Sequence, residues 1–263
     1  MKKKISIIIP TFNSEKFIEQ CIKSVLFQSY NNWEIIVCDN ESKDNTIQLI
    51  RSLVKEDDRI KILQKKDSGV AEALNNGFKL ATGDIFCWLN SDDIYMSTKT
   101  LEIVIQNINK KFDFVNSNFL NIDSENKVIK SFYSYIPNYK IKKIFYFNQI
   151  FTGSFFFTRK VLENFKGFRH EYKYSFEYEI IIHCLKNFRG IHVNKFLSCF
   201  RILPNALSSN KKDLNNEFID ILNKENLKFS NSFIYRIFGM IVSRNLHLAV
   251  INKIFDKYRG KKI

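Results

Sequence analysis

Along the N-terminal half of the chain, short unbroken apolar runs alternate with stretches whose apolar positions recur every three or four residues. Lys4-Ile5-Ser6-Ile7-Ile8-Ile9 runs apolar up to Pro10 and predicts a central strand closed by a turn. Glu15 to Gln28 carries Phe17, Ile18, Cys21, Ile22, Val25 and Leu26 at helical spacing, with Asn13 or Ser14 as the cap. Trp33 to Cys38 and Ile60 to Leu63 predict further strands, separated by a helix over Thr46 to Val54. Val70 to Leu80 reads as a helix and Ile85 to Leu89 as a buried strand, launched by the turn Gly83-Asp84. A helix over Thr100 to Ile108 and a strand over Phe112 to Val115 complete the series. This cadence means βαβ units and a mostly parallel sheet, with residues 1–118 as a Rossmann-like nucleotide-binding half.

After Asn116 the pattern breaks up. Val128 to Tyr135, Phe151 to Thr158 and His192 to Phe196 are strand-like, while Arg159 to Phe165 and Phe176 to Phe188 look helical. Residues 119–210 are then an α+β half that extends the sheet and builds the second wall of a cleft. From Asp213 the chain reads as helices, so residues 211–263 are expected to form a basic helical C-terminal extension.

With 45% hydrophobic residues, eight glycines and three prolines among 263 residues, the chain is not a disordered one. Cys21, Cys38, Cys87, Cys184 and Cys199 are odd in number, lack C-x-x-C spacing and sit partly in apolar runs, which predicts buried free thiols in a reducing compartment. No apolar run reaches the length needed to span a bilayer, and the stretch after Met1-Lys2-Lys3-Lys4 is too short for a signal peptide. A cytoplasmic protein is expected. The formal net charge is +14, and Asn226 to Ile263 holds eight Lys/Arg against Asp256 alone. Such charge suits nucleic acid or an anionic membrane, and it also follows from a composition crowded with Lys, Asn, Ile and Phe. No nucleic-acid motif accompanies it, and the aromatics lie mainly in core-like runs.

The chemistry gathers at predicted strand ends, where open α/β sheets collect ligands. Asn90-Ser91-Asp92-Asp93 follows the strand Ile85 to Leu89. Adjacent carboxylates repel unless water screens them or a cation lies between them. Mg²⁺ typically takes one or two carboxylates and completes its shell with substrate phosphates and water. A polar turn before a helix is the plainer account of the same residues. Phe12 offers an aromatic face for a nucleobase, core packing being the alternative, and Asp39 a carboxylate for a base N–H or a ribose hydroxyl.

Three segments in order resemble family 2 glycosyltransferases of the GT-A fold: Ile7-Ile8-Ile9-Pro10-Thr11-Phe12-Asn13-Ser14-Glu15, then Asp39-Asn40-Glu41-Ser42-Lys43-Asp44-Asn45-Thr46, then Asp67-Ser68-Gly69 with Ala73-Leu74-Asn75-Asn76-Gly77 and Ala81-Thr82-Gly83-Asp84 through Asp93. The likeness covers roughly residues 4–205. It implies an inverting, metal-dependent transfer of one sugar from a nucleotide-sugar, a UDP-sugar by the family's commonest habit, to a saccharide or lipid-linked acceptor in cell-surface glycan synthesis. Pro10, Thr11, Phe12, Asn13, Glu15, Asp39, Asp67, Asn75, Asn90 and Ser91 would then line the nucleotide pocket. Asp92, supported by Asp93, would hold Mn²⁺ or Mg²⁺. Asn90 stands where the family's D-x-D motif has its first Asp, so it brings no charge to the metal. The family's general base, usually Asp, falls on Glu177 in Ser175-Phe176-Glu177-Tyr178-Glu179, with Glu179 close by. Both glutamates also suit the positive end of a helix without any catalytic duty. His183, where the family often has Arg, reads as a packing or phosphate-side residue.

These departures leave a second reading, a nucleotide-sugar binder without turnover. The tail leaves two readings as well. Phe233 to Val242 and Leu246 to Phe255, broken by Arg236, Arg244 and Lys253, either lie in the interface of the inner membrane face or form a helical pair on the core.

Overall fold

The computed structural model describes residues 2–55, 57–108, 111–134, 144–145, 150–204, 210–229, 258 and 260–263. Strand and helix alternate through β1 (Ile5–Thr11), α1 (Ile18–Leu26), β2 (Trp33–Asp39), α2 (Thr46–Val54), β3 (Ile60–Gln64), α3 (Val70–Leu80) and β4 (Ile85–Trp88). There follow β5 (Ile94–Tyr95), α4 (Thr100–Asn107), β6 (Phe114–Ile122), β7 (Val128–Phe132), β8 (Ile144–Phe145), β9 (Phe155–Thr158) and α5 (Arg159–Glu163). The described elements end with α6 (Glu177–Asn187), β10 (Gly190–Arg201), α7 (Lys211–Lys224) and β11 (Lys228–Phe229).

Nine strands form one sheet in the order β3-β2-β1-β4-β9-β6-β10-β5, with β7 added to β6. The first four strands are mutually parallel, as expected, whereas β9 enters antiparallel between β4 and β6. β8 and β11 pair separately. From β1 the chain moves out to β2 and β3 and then returns through α3 to β4 on the other side of β1. That reversal opens a crevice at the carboxyl ends of β1 and β4.

Both faces of the parallel strands are covered, which explains their continuous apolar runs. Ile8, Ile36, Phe86 and Trp88 meet α3, α6 and α7 on one side. Ile7, Ile9, Ile35, Val37 and Cys87 meet α1, α2 and α4 on the other. Beneath the sheet, Glu34 is buried and accepts hydrogen bonds from Ser6 Oγ at 2.6 Å and from the Thr82 backbone N–H at 2.6 Å. Burial alone would raise its pKa, yet these bonds and that from Lys4 Nζ hold it down at about 2. All five cysteines are free and buried.

Three expectations change in the second half. The strand expected to stop at Val115 runs on to Ile122 as β6, because Asn116 and Asn118 find side-chain partners in Ser134 and Asn194. The strand expected over His192 to Phe196 extends over Gly190–Arg201, its alternation broken by irregular register around Val193 and Phe196. Phe151 to Thr158 opens on a 3₁₀ turn, Thr152–Ser154, before β9. Of the C-terminal extension, α7 packs Phe218, Ile221 and Leu222 into the core shared with α6. The apolar stretches of the tail lie outside the described residues.

Candidate active site

The four parallel strand tips are stitched together by their own polar residues. Asn13, at a positive φ of 46°, donates its backbone N–H to Ser42 Oγ and accepts from the Lys43 N–H at 2.8 Å. Asn40 takes the Asp67 N–H at 2.9 Å. Ser14 Oγ and Ser91 Oγ lie 2.7 Å apart, joining the β1 and β4 ends. The tertiary structure thus brings Pro10 to Glu15, Asp39, Asp67 and Asn90 to Asp93 to one edge of the sheet.

Within that edge the residues divide by accessibility. Phe12 is 56% exposed, so the core-packing alternative falls away and its ring is open to a flat ligand. Thr11 is buried, with its hydroxyl turned back to the Ile9 carbonyl, and Pro10 is buried beside it. Asp39 is also buried, its two carboxylate oxygens accepting from the Ser42 N–H and Oγ. Glu15 caps the next loop by accepting from the Asn45 N–H at 2.9 Å. Asp67 holds the Gly69 N–H, and burial, with Glu72 and Asp39 nearby, raises its pKa.

Asn75 is placed differently from the expectation of a nucleotide contact. Its amide donates to the Phe168 carbonyl at 2.8 Å and accepts from the Phe168 N–H at 2.9 Å. It therefore clasps the segment after Gly167 to α3, a backbone-fastening task that engages both ends of the amide.

The two carboxylates after β4 also separate. Asp93 is fully buried, with one oxygen accepting from the Arg201 backbone N–H at 2.8 Å and the other from Asn90 Nδ2 at 2.9 Å. Burial first, and then the charge of Asp92, raises its pKa. The expectation that Asp93 supports the metal is corrected: its oxygens face inward and are engaged. Asn90 uses its amide N–H₂ to hold Asp93, which explains why an amide serves there. Asp92 is only partly buried, and burial raises its pKa against the lowering influence of Arg201. Among the described residues no group of three or more His, Cys, Asp or Glu side chains is arranged to hold a metal ion. One open carboxylate fits a hard divalent ion that draws its remaining ligands from substrate phosphates and water.

Arg201 organises this tip, and no local pattern announces it. It is fully buried, and its Nε donates to the Asp92 carbonyl at 2.7 Å. Nη1 reaches the Asp123 carbonyl and Asn126 Oδ1, each at 2.8 Å, and Nη2 reaches Gln20 at 3.1 Å. The turn it grips is in turn overlaid by residues 260–263, where the Val128 N–H donates to the Lys261 carbonyl.

The start of α6 carries the two glutamates. Glu179 is committed: its carboxylate accepts from the Arg169 backbone N–H at 2.9 Å and from Arg169 Nε at 2.5 Å. Glu177 has no such ion pair among the described residues. Burial, with a smaller push from the charge of Glu217, raises its pKa to about 7. His183 packs between the rings of Phe165 and Phe188, as the packing reading has it.

A switch-point crevice with an exposed aromatic ring and a partly exposed carboxylate at its strand tips is where an α/β protein of this kind takes a ligand. The sequence profile of "Glycosyl transferase family 2" matches residues 6–165, and the chain belongs to that family. The chain is 33% identical over 205 residues to the GalNAc(5)-diNAcBac-PP-undecaprenol beta-1,3-glucosyltransferase of Campylobacter jejuni, a match covering 76% of this chain and 65% of the relative. It is 29% identical over 264 residues to the UDP-Glc:alpha-D-GlcNAc-diphosphoundecaprenol beta-1,3-glucosyltransferase WfgD of Escherichia coli, covering 98% of both. Among solved structures, TarS of S. aureus in complex with UDP-GlcNAc superposes with a TM-score of 0.70 at 19% identity, over 94% of this chain and 73% of that one. The mannosyltransferase PcManGT of Pyrobaculum calidifontis, in complex with GDP-Man and Mn²⁺, gives 0.65 at 17%, over 96% of this chain and 71% of that one. These likenesses establish the GT-A fold.

Proposed function

We propose that the chain transfers a sugar from a UDP-sugar, with inversion, to a lipid-linked saccharide during cell-surface glycan synthesis. The observation that carries this reading is the contrast at the start of α6: Glu179 is tied to Arg169, while Glu177 has no ion pair among the described residues and its pKa is at about 7. A general base works best when its pKa lies near the working pH. Glu177 would take the proton of the acceptor hydroxyl. The acceptor oxygen then bonds to the anomeric carbon as that carbon's bond to the diphosphate oxygen breaks. Phe12 would stack on the base, with Asp39 and Asp67 at its polar edge and Asn13, Glu15 and Ser91 shaping the rim. Pro10 and Thr11 set the backbone beneath it, and Asn75 acts through Phe168. Asp92 would hold Mn²⁺ or Mg²⁺, which supplies neutralisation of the charge on the leaving diphosphate.

The lipid-linked acceptor is supported by the names of the Campylobacter and Escherichia relatives, both undecaprenol-diphosphate saccharide glucosyltransferases. Work on such an acceptor would bring the chain to the inner face of the plasma membrane. Among the described residues no helix is long and apolar enough to cross a membrane. The basic tail would supply the contact with that face.

The test is UDP release from UDP-glucose with Mn²⁺ and a polyprenyl-diphosphate-linked N-acetylglucosamine, with the product anomer read by NMR. Transfer with a β-linked product is expected. UDP-sugars that bind but never turn over would replace catalysis with binding alone, and an α-linked product would refute inversion.

A further inference from the structure

The loop that leads into α6 is held by a single carboxylate from α7. Glu217 accepts the backbone N–H of Lys173 at 2.9 Å on one oxygen. Its other oxygen accepts those of Tyr174 at 2.7 Å and Ser175 at 2.9 Å. Three consecutive N–H groups converging on one carboxylate fix the backbone far more tightly than a single bond, because each is charge-assisted. One turn earlier on α7, the Leu214 carbonyl takes the Ser175 hydroxyl at 2.8 Å. One turn later, Asp220 takes the Tyr172 hydroxyl at 2.6 Å. α7 itself is seated on α6, where the Tyr178 and Phe218 rings lie 4.4 Å apart. The clamp therefore ends two residues before Glu177, and Glu217 is also the charged side chain felt by Glu177.

We propose that Glu217 is a positioning residue for Glu177: its carboxylate fixes the entry to α6 and so sets where the base stands against the acceptor hydroxyl. The role rests on Glu177 being that base. Among the described residues the hydrogen bonds of Glu217 go to Lys173, Tyr174 and Ser175 and none to the strand tips, so donor binding is separable from its effect. Glutamine at this position has one acceptor oxygen in place of two, so at least one of the three N–H groups loses its partner. Misplacing a reacting group by about 1 Å costs on the order of 100-fold in rate.

The experiment uses the full chain with UDP-glucose, Mn²⁺ and the polyprenyl-diphosphate-linked acceptor. Glu217→Gln is made alone and together with Glu177→Gln, and Glu217→Asp serves as the milder variant should Glu217→Gln fail to fold. Hydrogen exchange of the peptide spanning 171–178 reads the clamp itself. Expected results are faster exchange in that peptide, kcat down by roughly 10- to 100-fold, and UDP affinity within twofold. In the Glu177→Gln background the same substitution should add nothing, since its effect passes through a side chain already lost. Unchanged exchange in 171–178 would overturn the clamp. An undiminished further loss in the double variant would overturn the action through Glu177. Full activity of Glu177→Gln alone would remove the base assignment and this role with it, while the exchange result would still judge the clamp.

Discussion

Replacing Glu177 by glutamine should make the protein more stable and nearly inactive at once. The pKa of Glu177 is raised from 4.5 to about 7 by burial, so its ionised form is disfavoured in the folded state. A raised carboxyl pKa means that the fold carries no penalty below about pH 4.5, gathers it between 4.5 and 7, and carries it in full above. A displacement of roughly 2.5 units corresponds to about 3 kcal/mol at most, and the partial exposure of the side chain brings this to about 1–3 kcal/mol. Glutamine keeps the shape without the charge. At pH 8, Glu177→Gln should therefore be more stable by about 1–3 kcal/mol, or roughly 2–10 °C in Tm for a chain of this size. Near pH 4.5 the two proteins should melt together. Urea titrations at both pH values, with equal slopes, measure the difference directly. A gap that does not change with pH, or a glutamine variant less stable at pH 8, would refute the reasoning that Glu177 is held against its own ionisation.

Other consequences are as specific. The ascending limb of kcat/KM against pH should have an apparent pKa near 7, so that the rate at pH 6 is about a tenth of the plateau; a flat profile from pH 5 to 8 would exclude Glu177 as the base. Asp92→Asn should abolish the extra thermal stabilisation that Mn²⁺ gives in the presence of UDP, as followed by thermal shift, and lower activity by about 100-fold or more. The same variant without ligand should melt within about 2 °C of the parent, because Asp92 makes no ion pair among the described residues. Gly77→Ala should destabilise: a Cβ there would stand 2.4 Å from Ile8 Cγ2 and 2.9 Å from Cys38 Sγ. Overpacking of this kind costs about 1–3 kcal/mol and outweighs the helix-propensity gain of about 1 kcal/mol; a stabilised variant in urea would contradict the close seating of α3 on β1 and β2.

Local pattern determined much of this protein. α2 and α3 occupy Thr46–Val54 and Val70–Leu80 as their apolar spacing predicts, and β1 and β2 follow their apolar runs. Periodicity reports burial on a face, and in a sheet covered on both sides that signal is strong. The motif residues at the strand ends were legible for the same reason, since strand ends can be placed once strands are. β6 outruns its apolar stretch because Asn116, Ser117 and Asn118 carry a loop-like local pattern. Polar residues survive inside a strand when distant partners satisfy them, and Ser134 and Asn194 are not visible from the local window. The two residues of β5 are too few to carry any period.

Periodicity therefore set the alternating strands and helices, and three short motifs carried the resemblance to the family that the profile over residues 6–165 bears out. How the neighbouring acids differ in burial and partners was decided only by folding. Asp92 and Asp93 are neighbours in sequence, yet Arg201 and Asn90 draw Asp93 fully inward while Asp92 stays partly exposed. Glu177 and Glu179 share one helical turn, yet Arg169 takes Glu179 and, among the described residues, no cation pairs with Glu177. Arg201 and Glu217 reach their partners across long stretches of chain. The physical reason is common to all: hydrophobic periodicity is written in nearest neighbours along an element, whereas the state of a carboxylate depends on burial and on donors that only the tertiary fold brings within hydrogen-bond distance.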